Sequence, residues 1–263
     1  MTTTLRPALR AHGVSDAGRV RTANEDAFVA DAEHGFFAVA DGMGGHAGGG
    51  VASRVAIEAM TEFIHRSGED EDCPWPYGTD AALSLDGNRL RTAIRLANGR
   101  VFRVGESQEE YRGMGTTIVS VLATNGSIAV GHVGDSRLYV VSDGHIAQVT
   151  RDDSWAATVL VTELKLAPDA VARHPMRNVL THALGTHEQV DIHLNERDIH
   201  PGDIMLLCSD GVHGVLNEDA IRTALLRTRD VEQSAHAVIR AALDGGSRDN
   251  VTALVVRYEG AAA

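Results

Sequence analysis

Apolar residues fall first into short runs along this chain, then into helical repeats, and then into short runs again. Residues 8–13, 26–31 and 35–41 read as strands. Over about residues 48–66, Val51, Ala52, Val55, Ala56, Ala59, Met60, Phe63 and Ile64 recur at helical spacing, which predicts a long helix with one apolar face. An acidic, proline-containing loop follows at 67–80, SGEDEDCPWPYGTD. A second helix is expected over about 86–106, with Leu90, Ile94, Ala97, Val101 and Val104 turned inward. GTTIVSVLA, SIAVGHVG, RLYVVSDG and HIAQVT then read as a meander of short strands, with a hairpin signal at Asp143-Gly144. The stretch at about 151–190 breaks the pattern. It is helical in flavour, carries His174-Pro175, and reads as a flap inserted between two blocks of strands. Strands resume at about 190–196 and 203–209, helices follow at about 217–227 and 231–243, and the last strand is 251–258. The expected fold class is α+β: a sandwich of two antiparallel sheets with pairs of helices outside it, four layers in the order αββα, as a single domain over 1–263.

Composition narrows the function. Hydrophobic content of 43% and charged content of 23% are ordinary for a globular chain. A formal net charge of −12 argues against a nucleic-acid partner, whose phosphates need a basic footprint. Cys73 and Cys208 are far apart and in no ligand spacing, which argues against a disulfide framework or a structural zinc site. The start, MTTTLRPALRAHG, lacks the apolar stretch of a signal peptide, and no run of about 18 apolar residues occurs. The expectation is a cytoplasmic chain with no membrane span.

Acidic residues carry the chemistry. They stand in NEDA at 24–27, ADGMGG at 40–45, GDSR at 134–137, CSDG at 208–211 and RDN at 248–250. FFAVA leads into Asp41, IAVGHVG into Asp135 and IMLLCS into Asp210, while Asp249 precedes NVTALVV. Carboxylates at the ends of paired strands converge, and such a cluster cannot all ionise without a counter-charge. Hard divalent cations, which prefer oxygen ligands, are the natural counter-charge.

Gly42-Met43-Gly44-Gly45-His46-Ala47 also fits the dinucleotide pattern G-x-G-x-x-[GA] after a strand and before a helix. Asp41, just before the first glycine, would oppose a pyrophosphate, and Glu62 falls inside the amphipathic helix rather than at a strand end. A glycine-rich turn that lets helix and strand pack accounts for the run at 48–50 without a nucleotide.

Six ordered motifs carry a resemblance: S-D-x-G-x-V-R-x-x-N-E-D at 15–26, A-D-G-M-G-G-H at 40–46, G-T-T at 115–117, V-G-D-S-R at 133–137, S-D-G at 209–211 and D-N-V-T at 249–252. Together they resemble the metal-dependent protein phosphatases, the type 2C serine/threonine family, in its bacterial form. The resemblance implies hydrolysis of phosphoserine and phosphothreonine on proteins, by a water activated at a binuclear Mn²⁺ or Mg²⁺ centre. By resemblance, Asp41 bridges two ions, Gly42 offers its carbonyl, Asp210 and Asp249 complete the first site, and Glu25 supports the second. Asp26 is placed against a metal-held water, and Arg21 against the phosphate. Asp135 resembles the aspartate that helps Asp210 hold a third, weaker ion in bacterial members. Thr116 and Thr117 read as plain strand residues. Eukaryotic members carry histidine where this chain has Met43; His46 either protonates the leaving alkoxide or caps the helix that begins near it. Implied partners are phosphorylated proteins, among them Ser/Thr kinases and their targets, met by a monomer. Two rival readings are a regulator of the same fold acting on one partner of a sigma-factor switch, and an inactive phosphoprotein-binding module. Intact Asp41, Asp210, Asp249 and Arg21 argue against the second.

Overall fold

The structure, a computed structural model, describes residues 7–44, 48–70, 72–124, 126–155, 174, 176 and 179–261. The strands are β1 (Pro7–Asp16), β2 (Asp26–Asp31), β3 (Phe36–Met43), β4 (Gly115–Thr116), β5 (Ile118–Thr124), β6 (Ser127–Val133), β7 (Arg137–Ser142), β8 (His145–Gln148), β9 (His193–Asp198), β10 (Ile204–Cys208) and β11 (Val251–Ala261). The helices are α1 (Gly48–Glu69), α2 (Leu85–Ser107), α3 (Asp210–His213), α4 (Glu218–Leu226) and α5 (Val231–Asp244). One sheet runs β1-β11-β10-β7-β8. The other runs β2-β3-β5-β6-β9, with the short β4 added to β3. The pairings are antiparallel.

The period of two in the strands sorts their side chains into separate cores. Phe36, Ala38 and Ala40 of β3 face outward with Ile118 and Leu122 of β5, against Ala52, Met60 and Phe63 of α1 and Leu90, Ile94 and Val101 of α2. Phe37 and Val39 face inward, where they meet Val119, Val121, Leu138, Val140, Met205, Leu207, Leu254 and Val256 between the sheets. Leu206 and Cys208 of β10 and Ala253 and Val255 of β11 face the third core, under Ile221 and Leu225 of α4 and Val238 of α5. This is the expected αββα sandwich. Each large side chain fully buried in these cores contributes about 1.5–3 kcal/mol of transfer free energy. Side-chain caps start α2, α4 and α5: Ser84 accepts from Gly87 N, Asn217 from Ala220 N and Asp230 from Gln233 N.

Some elements differ from expectation. β1 extends past the predicted 8–13 because it pairs with β11 as far as Asp16 opposite Val251. The strand expected at 190–196 is β9, set by pairing His193 with His132 and Asp198 with Ser127. It is an edge strand with mostly exposed polar residues, so hydrophobicity places it poorly. Helix α3 adds one turn directly after β10, too short for a helical repeat to mark it in the sequence. The Asp143-Gly144 hairpin is present, with φ of 50° and 77° at its two turn residues. Most of the predicted flap, 156–173, 175 and 177–178, lies outside the described residues. Its two ends are described and run side by side: Trp155 N donates to Val179 O at 2.7 Å, and Thr181 N to Asp153 O at 2.7 Å.

Candidate metal centre

Strand register brings the acids to one end of the sandwich. In one sheet Asp26 of β2 stands directly opposite Asp41 of β3. In the other, Cys208 of β10 stands opposite both Arg137 of β7 and Ala253 of β11. Asp210 follows β10, while Asp135 and Asp249 precede β7 and β11, so all three leave the sheet at the same edge. Arg21, Glu25, Asp41, Gly42, Asp135, Asp210 and Asp249 line one cavity of about 490 Å³, with Thr117, Asn250 and the flap-end residues Val179 and Leu180. A larger cavity of about 670 Å³, walled by Tyr77, Arg95 and residues 186–191 among others, contains none of these acids. Chemistry rather than size therefore locates the site. His46 lies outside the described residues.

Uncharged donors hold the acids in place. Asp26 Oδ2 accepts from Ser209 Oγ at 2.8 Å and from Thr252 Oγ1 at 2.6 Å, both from the facing sheet. Asp41 N donates to Thr117 Oγ1 at 3.0 Å, and Thr116 Oγ1 donates to Asp41 O at 2.8 Å. The GTT segment thus grips the backbone of Asp41, a role beyond that of plain strand residues. Buried Asn250 is a hub. Its Oδ1 accepts from Glu25 N at 2.9 Å, and its Nδ2 donates to Ala17 O at 3.0 Å and Ala23 O at 2.9 Å. It fixes the loop that carries Arg21 and Glu25 to the start of β11. Sequence reasoning passed over Asn250, Ser209 and Thr252 as roles, although each lies within three residues of a singled-out acid. The glycines matter sterically: a Cβ on Gly42 would stand 2.0 Å from Gly49 O, and one on Gly49 would stand 2.7 Å from Glu25 Oε1. The glycine run therefore lets α1 begin against the acids.

The electrostatics are unbalanced. Burial, and then the charges of Asp26, Asp210, Asp135 and Asp249, push the Asp41 carboxyl well above the usual range. Burial raises Asp26 to about 6, despite its hydroxyl partners. Burial, with help from Asp210 and Asp152, raises Asp135 to about 7. Asp210 is raised by burial and by Asp249. Arg21 is the one cationic side chain lining the cavity among the described residues, and it is committed to Asp249 Oδ2 at 2.6 Å. Glu25 Oε1, Asp26 Oδ1 and Asp210 Oδ1 are buried with no hydrogen-bond partner. Orphaned acceptor oxygens of one sign, with no nitrogen or sulfur donor among them, are what a hard divalent cation satisfies.

An αββα sandwich with an all-oxygen acidic cavity at one end has the donor set of a hard-cation site. Residues 17–245 match the family model described as Protein phosphatase 2C, and the chain belongs to that family. It is 39% identical over 255 residues to the serine/threonine protein phosphatase PstP of Mycobacterium tuberculosis, an alignment covering 97% of this chain and 45% of PstP. The chain thus spans about half the length of that relative. It is 31% identical over 250 residues to the serine/threonine phosphatase stp of Listeria monocytogenes, covering 93% of this chain and 94% of stp. Among solved structures, the catalytic domain of PstP in complex with two manganese ions superposes with a TM-score of 0.79 at 36% identity, covering 95% of this chain and 97% of that one. No helix among the described residues is long and apolar enough to cross a membrane.

Proposed function

We propose that this chain is a protein serine/threonine phosphatase that hydrolyses phosphoserine and phosphothreonine with two Mn²⁺ or Mg²⁺ ions, opposing Ser/Thr kinases in the cytoplasm. The observation that carries this reading is the pair of unpaired carboxylate oxygens on Glu25, next to β2, and Asp210, next to β10, which line one cavity, with the unpaired Asp26 oxygen buried beside them. Asp41, the Gly42 carbonyl, Asp210, Asp249 and Glu25, which line the cavity, would hold the two ions. When bound, such ions supply a nucleophilic water at neutral pH and stabilise an in-line phosphoryl displacement. The protein's own contribution is position. Asp26, clamped by Ser209 and Thr252, keeps one oxygen free to accept a hydrogen bond from water. Arg21, more than half exposed at the mouth, offers its remaining N–H groups to a phosphate, whose oxygens its planar fork matches. Asp135 stands near the flap end as a ligand of a third, exchangeable ion.

Hydrolysis of nitrophenyl phosphate and of a phosphothreonine peptide tests this reading. Turnover should require Mn²⁺ or Mg²⁺, stop with a chelator, and fall by several orders of magnitude in Asp41→Asn. Full activity in chelator or in that variant would overturn the two-ion mechanism. Binding of the phosphopeptide without turnover under all metal conditions would favour the inactive binding module.

A further inference from the structure

We propose that Asp31, His34 and His65 form a second metal site, separate from the acidic cavity, that takes a borderline transition cation of the zinc class. Asp31 ends β2, His34 lies in the turn before β3, and His65 lies in the last third of α1. Asp31 Oδ2 meets His34 Nδ1 at 2.8 Å and His65 Nε2 at 2.6 Å. Asp31 Oδ1 accepts from His34 N at 3.1 Å, which fixes the carboxylate's orientation. The two rings lie 4.1 Å apart at 31°. The ligand atoms of all three residues fall within 4.8 Å of one another. The acids of the catalytic cavity form no group that tight among the described residues.

Donor chemistry sets the ion. Two imidazoles and a carboxylate suit Zn²⁺, with a fourth position left for water, whereas Mg²⁺ and Mn²⁺ prefer oxygen. The side chains are partly buried, so a cation reaches them without opening the fold. Position separates the two sites. Asp26 and Asp31 bound the six-residue β2, about 17 Å apart at ~3.3 Å per residue. Gly49 and His65 are about 24 Å apart along α1 at ~1.5 Å per residue. An ion at Asp31 would clip the far ends of the two elements whose near ends lie at the cavity. His12, Glu232 and His236 bring the same donor types together on the other sheet, but two of the three are exposed and their rings are 5.9 Å apart. That group serves as the control.

Zinc uptake by the whole chain, in a large excess of Mg²⁺ and against a chromophoric chelator, tests the proposal. The wild type should take up one zinc ion that His34→Gln/His65→Gln loses and that Asp31→Asn binds at least about 10-fold more weakly. His236→Gln should retain it. Zinc should also shift the ring resonances of His34 and His65 in the wild type, while Mg²⁺-supported turnover of the double variant stays unchanged. Circular dichroism checks that each variant is folded, and Asp31→Asn carries the test if the double variant is not. Equal zinc uptake by wild type and a folded His34/His65 variant, or loss in His236→Gln instead, would overturn the assignment.

Discussion

Replacing Asp135 by asparagine should make the metal-free protein more stable, although it removes the proposed ligand of the third ion. Burial, with the charges of Asp210 and Asp152, raises the Asp135 carboxyl to about 7 from an ordinary 3.8. Below pH ~4 the group is protonated in both the folded and unfolded states and costs nothing. As pH rises, the unfolded chain loses this proton first, so stability falls, by at most about 1.4 kcal/mol per pH unit. Above pH ~7 the whole penalty is present. A shift of about three units corresponds to about 4 kcal/mol, and relaxation of the neighbouring carboxyls brings the expected figure to about 2–4 kcal/mol. Asparagine has the same shape and no such penalty. In chelator at pH 8, Asp135→Asn should therefore melt higher than wild type, by about 5–15 °C for a chain of this size. The gap should close as pH falls to 4. Excess Mn²⁺ should narrow or reverse it, because the wild type gains more from the ion. Thermal melts followed by circular dichroism at both pH values, with and without chelator, give all four comparisons. A variant no more stable than wild type in chelator at pH 8, or a gap unchanged at pH 4, would refute the electrostatic argument.

Asp135→Ala should leave two ions bound in a structure of the Mn²⁺-soaked variant while lowering turnover and raising the metal concentration required; loss of both ions would place Asp135 in the core centre. Asn250→Ala removes three hydrogen bonds at a buried position and should cost about 2–3 kcal/mol in denaturant unfolding. Its Mn²⁺ affinity should fall as well, since the Glu25 backbone is released; unchanged affinity would remove Asn250 from the support of the centre. His46→Ala should slow phosphopeptide hydrolysis by about 10²–10⁴ and nitrophenyl phosphate hydrolysis far less, because only the alkoxide needs a proton as it leaves. Equal losses on both substrates would reject the proton-donor role.

What the sequence made legible follows from physical periodicity. α1, β3, β10 and β11 each bury a continuous or strictly spaced apolar set, so their patterns survive as text. The acids at the strand ends were legible for the same reason: a charge that terminates a hydrophobic run is conspicuous. β9 was displaced because an edge strand has no apolar signature, and only its register against β6 sets its limits. Asn250, Ser209 and Thr252 stand inside the S-D-G and D-N-V-T motifs, but their roles were obscured because they act on the backbone or on a carboxylate from across the sandwich, up to 233 positions away along the chain. The same holds for Asp31, His34 and His65, which span the turn before β3 and most of α1.

The frame around the acids is made almost wholly of hydroxyls, amides and backbone N–H groups. A frame of lysines or arginines would relieve the repulsion among Asp26, Asp41, Asp135 and Asp210 and make the empty fold more stable. It would also fill the site with fixed positive charge and weaken its hold on a divalent cation by the same electrostatic free energy. Neutral donors avoid that conflict: they fix the direction of each carboxylate while leaving its charge uncompensated. Arg21, the one arginine lining the cavity among the described residues, is held by Asp249 at the exposed mouth, where solvent screens it and where a phosphate would arrive. On the proposed two-ion reading, instability without metal and affinity for metal are thus one property of this arrangement. A substitution that raises the melting temperature in chelator by neutralising an acid of the cavity should lower metal affinity in the same step.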